Sequence, residues 1–197
     1  MPHIILPPSF CQCVLAERWG QNEVRRSVAI NTFALGWWLI RVTIWLAVAG
    51  WLLRVFVEAS GRSFAARGRL IRWSWLIGAL ACVAHVVVAM GFGHCWSLAN
   101  AMRHTAKETR RVIGVELPWS VFVNFAFVAF WLVDAVRVFR SREVRPLGAV
   151  RHGIWLVMML NGTVVFGPKY WLWIAIPCVV AFAIVKSRSR TLVDEDR

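Results

Sequence analysis

Apolar residues along this chain come in blocks too long and too continuous for the one-sided or alternating patterns of water-facing elements. An α-helix that crosses a bilayer needs about 20 consecutive apolar residues. Five blocks approach or exceed that length, at about 28–57, 73–93, 118–139, 151–166 and 171–185. The pattern predicts an all-α fold, a polytopic integral membrane helical bundle of about five transmembrane helices. It predicts one transmembrane domain over 1–190 and a short tail at 191–197.

The blocks are unequal. The first has 30 residues, roughly 45 Å at helical rise, so it either tilts or begins in the interface. Arg41 and Arg54 interrupt it. Arg54 lies near an end and can snorkel, whereas Arg41 lies near the middle and needs a polar partner, a headgroup or water. The second block is uninterrupted and passes into a basic stretch, His94–Gly114, at helical spacing, which predicts a second helix extended beyond the membrane. Pro118 and Trp119 open the third block, as suits a first helical turn at headgroup level. The last two blocks are short and are expected to form a hairpin of spans whose flanking charges snorkel.

Composition supports a membrane protein: 59% of residues are hydrophobic and 13 are tryptophan. The formal charge of +13 would suggest nucleic acid in a soluble domain. Here the basic residues cluster at block ends, so membrane lipids are the expected partners and nucleic acid is not. Segments 58–72 and 137–151 carry net charges of +3 and +4, against +1 for 1–28 and +2 for 94–118. With five spans, that bias places the N-terminus outside and the C-terminus in the cytoplasm of a plasma (inner) membrane. The Trp pairs 73/75 and 171/173 would then mark the two interfaces. Residues 1–28 show no basic region followed by an apolar core and cleavage site, so no cleavable signal peptide is expected. Five scattered cysteines, an odd number, argue against a disulfide framework, and Cys11 and Cys13 lack a second pair to complete a zinc site.

Polar residues inside apolar blocks are the candidate sites. Ala81, His85, Ala89 and Gly93 share one face of the second helix, a surface small enough for a neighbouring backbone or a flat ligand. His85 reads as a buried imidazole bonded across a helix pair, or as a cofactor ligand. As a haem ligand it lacks an easy partner. His94 points away from it, and His152 would lie roughly 18 Å off along the normal; only Met159 is near in depth. His94 and His104 are the candidate metal ligands. Asn124 and Asn161 fall at comparable depths and are expected to bond each other, and Asp134 is expected to pair with Arg54. Arg103, Lys107, Arg110 and Arg111 surround a stripe of Ala101, Thr105 and Thr109, as in a helix on the headgroups or the lining of an anion-attracting vestibule.

No catalytic motif of recognisable spacing is present. The reading favoured is a small accessory or assembly subunit acting through helix–helix packing, with other membrane subunits or a second copy as partners. The alternatives are a proton-coupled or anion-attracting small-solute transporter, with Arg41, His85, Asn124, Asp134 and Asn161 along its path, and a histidine-ligated haem or metal electron-transfer subunit.

Overall fold

The computed structural model describes residues 23–60, 66–141, 148–162 and 170–195. Cys11, Cys13, Pro146 and Pro168 lie outside them. The described residues form six α-helices: α1 (Glu23–Ala59), α2 (Arg67–Val88), α3 (Leu98–Ile113), α4 (Ser120–Arg140), α5 (Ala149–Leu160) and α6 (Tyr170–Glu195). Three stretches are long and apolar enough to cross a membrane, Ala34–Ala59, Arg67–Gly93 and Ser120–Arg140. They leave Leu46, Ile77, Leu80 and Val133 exposed, as hydrocarbon-facing helices do. The chain is thus an all-α, multi-pass membrane protein. The apolar parts of α5 and α6, Val150–Leu160 and Trp173–Val185, are shorter. The helix α6 itself runs on through Glu195, past the start of the expected tail.

The expected extension of the second helix is corrected: the chain breaks between Gly93 and Leu98. A π-helical turn, Ala89–Gly93, follows α2 and is closed by bonds from His94 N to Ala89 O (3.1 Å) and from Trp96 N to Met90 O (2.8 Å). Cys95 and Trp96 then take left-handed φ values of 51° and 57°. No helix continues through two such residues. Ser97 starts α3 as its N-cap, accepting from Asn100 N at 3.3 Å, and Gly114 ends it at φ 77°.

Among the described residues the chain divides into two compact units, one of 23–45 with 82–125 and one of 46–81 with 126–195. In the second, Trp75, Trp131 and Trp155 are fully buried. Ring centres stand 5.2 Å apart for Trp75–Trp131 and for Trp75–Trp155, within the range of favourable aromatic pairs. Close backbone approach makes this core possible. A Cβ on Gly50 would lie 2.7 Å from Ser74 O and 2.8 Å from Gly78 Cα, so α1 and α2 cross through paired glycines.

Where α2 crosses α1, Ile71, Ser74, Trp75, Gly78, Ala79 and Cys82 are buried; on the expected face His85 bonds α1, while nothing stands within 4 Å of a Cβ on Gly93. The tryptophan pairs split in the same way: Trp73 is exposed and Trp75 is core, Trp173 is exposed and Trp171 is buried. Residues two apart on a helix point about 200° apart, so one member of each pair faces inward.

Candidate functional site

The second unit holds a cluster of charged side chains beside the tryptophan core. Arg54 and Glu58 stand one turn apart on α1, and Arg54 Nε donates to Glu58 Oε1 at 2.8 Å. The second oxygen, Oε2, lies 3.2 Å from His152 Nε2 in the first turn of α5. Asp134 on α4 is likewise engaged at both oxygens: Oδ2 accepts from Trp75 Nε1 at 2.9 Å, and Oδ1 lies 3.3 Å from Arg151 Nη1. The Arg54 guanidinium carbon sits 4.2 Å from the centre of the Trp75 ring.

The expected Asp134–Arg54 pair is therefore replaced by a relay through one indole. Trp75 presents its π-face to the cation and its N–H to the anion, the two polar capacities of that side chain. Two arginines balance two carboxylates without counting His152. This matters because Arg54 is only 1% exposed, and a buried charge is tolerated only when matched. Trp131 and Trp155 keep buried indole N–H groups that have no hydrogen-bond partner.

The first unit contains His85, half-buried on α2, whose Nδ1 is 3.0 Å from the carbonyl oxygen of Ile40 on α1. A carbonyl only accepts, so Nδ1 carries a proton, and in the neutral ring Nε2 keeps the lone pair. Thr43 Oγ1 is 3.5 Å away. Arg41 is held within its own helix, its Cζ 3.2 Å above the Trp37 ring one turn back, which places a π-system against the cation; it lies in the first half of the apolar stretch Ala34–Ala59. On α3, Ala101 and Thr109 are buried, and Thr109 Oγ1 accepts from Leu117 N at 2.9 Å. Arg103, Lys107, Arg110 and Arg111 are exposed. Three of these are partnered locally, Arg103 by Asn100 at 2.6 Å, and Arg110 by Glu116 and Arg111 by Glu108, both at 2.8 Å.

His94 and His104 come together with ring centres 5.4 Å apart. Burial, and then the neighbouring His104 charge, lowers the His94 pKa below its ordinary value. Beside them Cys95 is disulfide-bonded.

The other sequence candidates fall in different units. Asn124 is exposed on α4 in the first unit, and Asn161 is half-buried after α5 in the second. His85 belongs to the first unit and Met159, buried on α5, to the second. Among the described residues no group of three or more His, Cys, Asp or Glu is placed to hold a metal. Sequence reasoning missed Glu58, Arg151 and the core role of Trp75, Trp131 and Trp155. The i, i+4 spacing of Arg54 and Glu58 was a visible signal; the partnership with His152 had none.

Comparison with protein-family models, with curated proteins and with solved structures finds no match.

Proposed function

We propose that the chain is an accessory or assembly subunit of the plasma membrane that acts through helix–helix packing. The observation that carries this reading is the state of Asp134. Its two oxygens are taken by Trp75 and Arg151 of the same chain, so the interior carboxylate best suited to carry a proton serves instead as a structural pin. Glu58 is pinned in the same way by Arg54 and His152. Outward, α6 exposes Trp173, Ile176, Val179 and Val180, an apolar surface suited to lipid or to a helix of another subunit or a second copy. All five apolar helices cross the bilayer in this proposal, with the N-terminus external and the C-terminus cytoplasmic. The disulfide at Cys95 supports that orientation, since disulfides persist on the oxidising side of a membrane, and the basic segments 58–72 and 137–151 then fall inside.

Native mass spectrometry of the chain extracted from its own membranes tests the subunit reading. A complex of fixed stoichiometry, hetero-oligomeric or homo-oligomeric, is the expected result; a monomer under every mild extraction condition overturns it. Reporter fusions after Val115 and at the C-terminus test orientation, with an externally active reporter expected only at the first.

A proton-coupled transporter is the second reading, favoured by the carboxylate–imidazole contact of Glu58 and His152. Proton-driven solute uptake into vesicles containing the chain, lost in Glu58→Gln, would select it over the packing reading.

A further inference from the structure

We propose that His94 and His104 form a two-imidazole site for a borderline divalent transition-metal ion, of the zinc or copper(II) class. The inference goes beyond the packing role and does not rest on it.

The two rings come from different local structures. His94 follows the π-helical turn, and His104 lies on the second turn of α3. The backbone between them is well determined by its own bonds. His94 N is held by Ala89 O, and His94 O accepts from Ser97 N at 2.9 Å and from Asn100 Nδ2 at 3.2 Å. His94 therefore cannot drift from α3, whose first turn is capped by Ser97 and steadied by the Arg103–Asn100 bond of 2.6 Å. Such preorganisation is what distinguishes a ligand pair from two nearby side chains.

Ring centres 5.4 Å apart are compatible with two imidazoles sharing one ion through metal–nitrogen bonds of about 2.0–2.1 Å. Imidazole nitrogen is a ligand for zinc and copper and a poor one for magnesium or calcium. Cys95 is committed to a disulfide and supplies no thiolate. Among the described residues no third His, Cys, Asp or Glu joins the pair, so its remaining coordination positions are open to water or to other donors.

The full chain, carrying a tag without histidine and with its free thiols alkylated, is dialysed against zinc and counted by elemental analysis; copper(II) is followed by electron paramagnetic resonance. One zinc ion per chain is expected, with nitrogen couplings from two imidazoles in the copper spectrum. His94→Ala and His104→Ala should each weaken binding at least tenfold, while His152→Ala leaves it unchanged. His94→Gln and His104→Gln, which retain polarity and bulk, should lose the ion without a change in the metal-free unfolding midpoint, separating a ligand role from a structural one. No saturable zinc binding, or binding that survives both His94 and His104 substitutions, overturns the proposal. Equal loss in His152→Ala, or a copper spectrum without two nitrogen couplings, does the same.

Discussion

The indole nitrogen of Trp75 lies 2.9 Å from Oδ2 of Asp134, joining α2 to α4 through a charge-assisted bond inside a tryptophan core. A neutral donor facing a buried carboxylate is worth about 1.5–3 kcal/mol. The Arg151 contact on the other oxygen is longer, and the Arg151 side chain is 56% exposed, so solvent holds it to about 1 kcal/mol or less. Trp75→Phe keeps a ring for Arg54 but removes the donor together with part of the buried indole volume. Its thermal unfolding midpoint in detergent should fall clearly below that of Arg151→Gln. Equal losses would show that the indole donor is not the dominant tie.

The glycine crossing gives a sharper contrast. Gly50→Ala places a Cβ against the backbone of Ser74 and Gly78, where neither side can yield without separating the helices, and overpacking of this kind costs about 1–3 kcal/mol. Gly93→Ala meets nothing within 4 Å and should be close to neutral. Both variants can be ranked by unfolding midpoint; a milder Gly50→Ala would mean that α1 and α2 do not cross there.

His85 ties α2 to α1 through Ile40 O. Hydrogen bonds between membrane helices average about 0.6 kcal/mol and reach about 1.7, so His85→Ala should be destabilising by a modest amount and leave the protein folded. A Soret band in the purified chain that vanished in this variant would instead assign His85 to a haem.

Acidification should act on the metal-free protein through His94. Its pKa in the folded chain lies below the ordinary value of 6.5, so between those two values the unfolded chain binds more protons than the folded one. The contribution of the neutral ring to stability is therefore complete above about 6.5 and declines as pH falls toward the folded value. The protection factors of the Ser97–Ala101 amides, corrected for the intrinsic pH dependence of exchange, should fall on acidification in the wild type and lose that dependence in His94→Gln.

The membrane character and the α1, α2 and α4 spans were legible in the sequence because crossing a bilayer demands long apolar runs whatever the neighbours. The break after Gly93 was not. Apolar and helical periodicity continues through Cys95 and Trp96, and only their left-handed backbone, with Ser97 able to cap a new helix, ends the segment. Individual polar residues such as Arg54, His85 and Asp134 could be picked out, since hydrocarbon leaves each in need of a partner. Which partner each takes depends on helix rotation and crossing, set by Gly50 against Gly78 and by the bulk of three tryptophans. Those are contacts between residues far apart in the chain, and no local pattern encodes them. Thus Asp134 meets Trp75 and Arg151 instead of Arg54, and Trp75 is core and not an interface anchor.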